Sequence, residues 1–156
     1  MSMEKFKTVF EDAARDLGFS GAELDERGAC TILPKVQGMP AIHLAYDEAG
    51  DNVDIFCELG TVPDGRADLY REFLAANLFG EESKGAVFAF SRELGHVVLQ
   101  RTLSVEAIGE HAFFASALAD FAEVAYAARQ KLFDNAPDAA ESSGQPMGES
   151  QFTLRV

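Results

Sequence analysis

The sequence predicts an α+β domain: an antiparallel twisted sheet with three helices, in the order α-β-β-β-α-β-β-α. Three observations carry this. Stretches with helical apolar spacing open the chain, interrupt it once and close its apolar part. Between them lie five short runs with alternating or continuous apolar character. Turn residues separate neighbouring runs closely enough for antiparallel pairing.

The first helix is expected over residues 3–17. Met3, Phe6, Phe10, Ala13 and Leu17 form one stripe, Ser2 stands where a cap belongs, and Gly18 stands where the helix should stop. Three strands follow: "ACTIL" at 29–33, "AIHLAY" at 41–46 and "VDIFCEL" at 53–59. "DEAGDN" and "GTVPDG" close the second and third, which reads as a meander. In the third strand Val53, Ile55, Cys57 and Leu59 share one face, and Phe56 stands between Asp54 and Glu58 on the other.

"DGRADLYREFLAANLFG" predicts the second helix, with Asp64 as N-cap and Gly80 just past the end. Leu69, Tyr70, Phe73, Leu74 and Leu78 span roughly 180° of its wheel, wider than the ~100° stripe of a helix that faces one core. Such a helix has two surfaces to bury. "AVFAFSR" at 86–92 and "HVVLQRTL" at 96–103 then form a hairpin around Gly95. A long helix is expected from about 105 to 133, capped by Ser104, with Phe114, Leu118, Phe121, Ala125, Ala128 and Leu132 as a continuous seam.

Residues 1–133 therefore form the expected domain, and 134–156 an expected flexible tail that is poor in large apolar residues until its end. That end, "QFTLRV", alternates Phe152, Leu154 and Val156 with polar residues and reads as a terminal strand at 151–156.

Composition narrows the function. The formal charge of −13 repels phosphate backbones and anionic lipid, which argues against nucleic acid and membrane insertion. "MSMEKFKTVF" lacks a signal-peptide core, and the two cysteines, Cys30 and Cys57, sit in apolar runs as reduced thiols would in the cytoplasm. No phosphate loop, dinucleotide fingerprint, nucleophile elbow or zinc-helix motif occurs, and the acidic turns "DEAGD" and "GEES" lack calcium-loop spacing. A catalytic Cys57–His96 pair would need an exposed, activated thiol, and both residues stand in strands. The expectation is no enzyme, no cofactor and no metal. Thirteen Phe in a chain of this size, with the broad second helix, point instead to protein contacts.

"LYREFLAANLFGEESKGAVFAFSRELGHVVLQRTL" resembles the core of the Tir chaperone (CesT) family, the class I chaperones of type III secretion. A leucine-rich helix ending near Asn77 leads through a short loop into a hairpin that supplies Phe88, Phe90, Val98, Leu99 and Leu103. The resemblance extends over about residues 3–133. It implies a homodimer whose interface residues are Leu69, Tyr70, Phe73, Leu74, Leu78, Phe88 and Phe90, with Phe88 and Phe90 equally suited to their own core. It implies a client, the N-terminal segment of a secreted effector, laid on Phe6, Phe10, Ile32, Ile42, Leu44 and Phe56 and held soluble and secretion-competent. It also implies the cytoplasm of a Gram-negative bacterium, a link to virulence and delivery to the secretion ATPase. The alternatives are a regulatory or housekeeping interaction module of the same fold, a Cys57–His96 enzyme, and a small-molecule binder. On the family reading, the terminal strand is expected to offer itself to the client site of its own chain or of a neighbour.

Overall fold

The computed structural model describes residues 3–19, 21–109 and 111–133. The tail from 134 and the alternating segment 151–156 lie outside the described residues, as does the Ser2 cap. The elements are α1 (Met3–Asp16), β1 (Ala29–Ile32), β2 (Ile42–Asp47), β3 (Asn52–Gly60), α2 (Asp68–Ala76), β4 (Val87–Ser91), β5 (His96–Ser104) and α3 (His111–Phe133). This is the expected order. No helix among the described residues is long and apolar enough to cross a membrane.

Helix α1 buries Phe6, Val9, Phe10, Ala13 and Ala14. Gly18 ends it in a left-handed conformation, φ 71°. The Phe19 and Gly18 N–H groups donate back to the Ala14 and Arg15 carbonyls, a Schellman closure of the orphan acceptors.

The five strands form one sheet in the order β1-β2-β3-β5-β4. All four pairings are antiparallel. The β2–β3 hairpin closes where the Asp47 carboxylate accepts from Ala49 N–H at 3.0 Å. The nine-residue strands β3 and β5 form the centre, with a register shift between Glu58 and Gly60. Gly60 has φ 123°, which only glycine adopts readily.

Alternation divides the sheet into two faces. Val53, Ile55, Cys57 and Leu59 of β3 are fully buried, and Ile42, Leu44 and Tyr46 of β2 and Val97, Leu99 and Leu103 of β5 are buried with them. Helices α1 and α3 lie over this face. Phe6 stacks on Tyr46 at 5.0 Å and meets Phe114 edge-on at 6.0 Å. All six seam residues of α3, from Phe114 to Leu132, are buried.

Three boundaries differ from expectation, one of them the end of α2, which stops at Ala76 with Asn77 as its C-cap rather than just before Gly80. Helix α2 starts at Asp68, not at Asp64, and Ala67 caps it without a side-chain hydrogen bond. Pro63, Asp64 and Gly65 are consumed by a turn in which Arg66 N–H donates to Pro63 O and Gly65 takes φ 83°. The last helix does not begin near 105. Ser104 Oγ instead accepts from Ala107 N–H, at the start of a 3₁₀ turn over Ala107–Gly109 that buries Ile108.

Candidate functional site

Helix α2 carries the chain from β3 past β5 to the edge strand β4. Its broad apolar arc is split by packing. Leu69 and Phe73 are buried, and Phe73 stacks on Phe88 at 4.7 Å. Leu74 and Leu78 stand 68% and 66% exposed. Tyr70 meets Phe90 edge-on at 6.0 Å, and both rings keep substantial exposure. Phe88 and Phe90 lie on one face, opposite Leu99 and Val97, but only Phe88 is covered.

Asn77 fixes this unit. Its Nδ2 donates to Phe88 O at 3.0 Å, and its Oδ1 accepts from Phe88 N–H at 2.8 Å. The side-chain amide thus substitutes for a strand partner and ties the end of α2 to β4. Phe79, next in the loop, is 90% exposed in a left-handed conformation, φ 60°. An aromatic side chain held there is uncommon. Phe79 adds an exposed aromatic beside this surface, while the exposed Val87 belongs to the other face of β4, and sequence reasoning missed both. A large apolar residue between Leu78 and the turn glycine Gly80 was the available signal.

The second region is the opposite face of the sheet. Thr31, His43, Phe56, Gln100 and Val87 form one cross-strand row from β1 to β4. Thr31 Oγ1 and His43 Nδ1 are 3.0 Å apart, and the imidazole stacks on Phe56 at 4.9 Å. Burial pushes the His43 pKa below its ordinary 6.5, and neighbouring Glu58 partly opposes that. A cleft of about 790 Å³ opens here, lined by Thr31, His43 and Phe56 with Glu23, Asp25, Glu58 and Arg129. Glu58 Oε2 lies 3.1 Å from His96 Nδ1. Arg129 reaches over from α3 and donates to the Glu58 and Leu59 carbonyls at 3.3 and 3.4 Å. Asp25 Oδ1 accepts from the Arg27 and Ala29 N–H groups at 2.8 Å, fixing the segment that leads into β1.

The residues expected to touch a client divide sharply. Phe6, Phe10, Ile32, Ile42 and Leu44 are 2% exposed or less. They are the inward residues of α1, β1 and β2, and of the five only Leu44 reaches the wall of the cleft. Phe56, on the other face, is half-buried and lines the cleft. Cys57 and His96 do not form a pair. Cys57 points into the core, where burial pushes its thiol up to about 12, while His96 turns to Glu58 on the other face. Among the described residues no His, Cys, Asp and Glu cluster suits a metal ion.

The pattern of the Tir chaperone protein (CesT) family matches residues 9–129. The chain belongs to this family. Solved structures of several proteins share its fold. A chain of the ExsC–ExsE complex is 18% identical, with TM-score 0.67 over 88% of this chain and 98% of that one. A chain of the HopA1–SchA chaperone–effector complex is 18% identical, with TM-score 0.63 over 83% and 98%. The complex of the Yersinia pestis type III secretion chaperone SycH with a fragment of YscM2 gives 23% identity and TM-score 0.58 over 78% and 98%. YbjN, a putative transcription regulator from E. coli, also shares the fold, at 15% identity and TM-score 0.57 over 81% and 90%. At these identities the likeness is one of fold. No curated protein matches the sequence.

Proposed function

We propose that the protein is a type III secretion chaperone. It acts as a homodimer, binds the N-terminal segment of a cognate effector, and keeps it soluble and competent for delivery to the secretion ATPase in the cytoplasm. The observation that carries this reading is the division of its apolar surface. The monomer closes a complete core and still leaves Leu74, Leu78, Phe79 and Phe90 outside, all on α2, β4 and the loop between them. A contiguous apolar face of this kind marks a protein interface. Family membership and the chaperone–effector structures among the fold relatives support the same assignment.

Within the proposed dimer, Tyr70, Leu74, Leu78 and Phe90 supply the contact. Leu69, Phe73 and Phe88 hold that face rigid from beneath. A two-fold pairing through α2 would place the two copies of each exposed residue in one self-complementary patch. The client surface is then the helix-free face of the sheet, where Phe56 makes direct contact and the buried Ile32, Ile42 and Leu44 shape the strands. β1 is an outer strand of the sheet, and beyond Ala29, whose N–H and carbonyl are bonded to Asp25, its edge is suited to a client strand, since an edge offers backbone donors and acceptors to an extended chain. No group with catalytic geometry is needed. Binding works by burying the client's apolar side chains and holding it extended.

A second reading has one observation in its favour. YbjN shows that the fold also occurs in a protein described as a putative transcription regulator. On that reading the same surfaces serve a regulatory interaction module with no secreted client.

The deciding experiment purifies the tagged chain from its native host and identifies bound proteins by mass spectrometry. The expected partner is a secreted protein that loses binding when its N-terminal segment is deleted and loses secretion when the chaperone gene is deleted. Recovery of no secreted protein, or binding that survives loss of the N-terminal segment, would refute the chaperone assignment.

A further inference from the structure

We propose that the cleft beside His43 and Phe56 is a recognition pocket for a cationic side chain, arginine or lysine, carried by an extended segment of the client. The inference rests on the client reading above and adds the chemistry of one client residue.

Charge is the first argument. Glu23, Asp25 and Glu58 bring three carboxylates to the cleft, Asp25 also bonded to two main-chain N–H groups and Glu58 to His96, against one guanidinium, that of Arg129. Arg129 is already committed: it donates to two main-chain carbonyls at the end of β3 and lies over the Phe133 ring at 5.1 Å. Its position is therefore fixed by the fold. The formal charge of −13 adds long-range attraction for a basic segment. A client carboxylate would be repelled here. An apolar client residue would desolvate acids without offering them a donor.

Shape is the second argument. His43 and Phe56 are stacked at 4.9 Å with an interplanar angle of 24°, so they present a nearly flat aromatic surface. They are direct cross-strand partners, which fixes that surface to the start of β2 and the middle of β3. A guanidinium or ammonium gains from an aromatic face, and a guanidinium also forks onto carboxylates. The cleft combines both contacts. Burial lowers the His43 pKa, so the imidazole opposes an incoming cation less than an ordinary histidine would. His96, at 3.1 Å from Glu58, holds one carboxylate in place beside it. At about 790 Å³ the cleft exceeds the needs of one side chain and leaves room for the extended backbone that carries it.

The test uses a random linear peptide display library selected against the full-length protein. Selected peptides are expected to share Arg or Lys at one fixed position within alternating apolar residues. The tightest peptide is then synthesised with that residue and with Gln in its place. Binding is measured by fluorescence anisotropy to the wild type and to Glu23→Gln/Glu58→Gln. On the wild type the Gln peptide should bind about tenfold more weakly, and on the double variant the two peptides should bind within about threefold of each other. Glu23→Gln alone, at an exposed position before β1, repeats the comparison should the double variant fail to fold. Peptides that are selected without a fixed basic position, or an equal loss on both proteins, would overturn the pocket and leave client binding intact. Failure to select any peptide above background would overturn the client reading and this inference together.

Discussion

Leu74→Asp tests the interface most directly, because the monomer has little to lose by it. Burying a leucine side chain fully is worth about 1.5–3 kcal/mol. The monomer leaves 68% of Leu74 in water, so about 1–2 kcal/mol remains for a partner to collect. A two-fold interface collects it twice, about 2–4 kcal/mol per dimer. Aspartate forfeits this and also brings two carboxylates that must be desolvated or repel each other. A total near 4 kcal/mol is a weakening of about a thousandfold in the dimer Kd. Sedimentation velocity over a dilution series should show wild type at twice the 16.9 kDa protomer and the variant at one protomer mass. Circular dichroism should show an unchanged fold, since Leu74 contributes little to the core. Phe73→Asp is the contrast: that ring is 5% exposed and stacked on Phe88, so its loss should unfold the chain. A Leu74→Asp dimer that persists at low micromolar concentration would refute the assignment of α2 to the interface.

Two further outcomes follow from the geometry. Asn77→Ala removes both hydrogen bonds to the Phe88 backbone and should cost about 1–3 kcal/mol, read as a lower Tm; an unchanged Tm would show that β4 does not depend on the amide. His43 has its pKa lowered by burial, so below its ordinary 6.5 the unfolded chain binds the proton more readily than the folded one. Its contribution to stability is therefore present above pH 6.5 and lost as the pH falls further. Urea midpoints measured on either side of that value should fall less for His43→Gln than for wild type, and an identical fall would remove His43 as the cause.

Much of this fold was legible in the chain. The alternation Val53, Ile55, Cys57, Leu59 identified the inward face of β3, and the step from Phe114 to Leu132 identified the buried seam of α3, because a side chain's direction is set by local backbone period. Gly18 marked the end of α1 for the same local reason. Boundaries failed where turn chemistry outweighed helix signals, as at Pro63–Gly65. The candidate site was legible only in part. The width of the α2 arc announced two surfaces, but the sequence treated Leu69 and Leu74 alike. Nothing in it separated Phe56 from Phe6 or Phe10 as available to a partner.

The sequence by itself determined the elements, their order and the dry side of β3, but it offered Ile32, Ile42 and Leu44 to a client where the structure buries them. Only the tertiary structure decided what covers each side. It placed β5 between β3 and β4, so that α2 had to cross to the sheet edge and leave Leu74, Leu78 and Phe90 outside. It drew Glu23, Asp25 and Arg129 to the same cleft as His43 and Phe56 from segments far apart in the chain. The physical reason is one of range. Periodicity reports the local backbone, whereas exposure and charge grouping depend on long-range pairing that no short window of sequence contains.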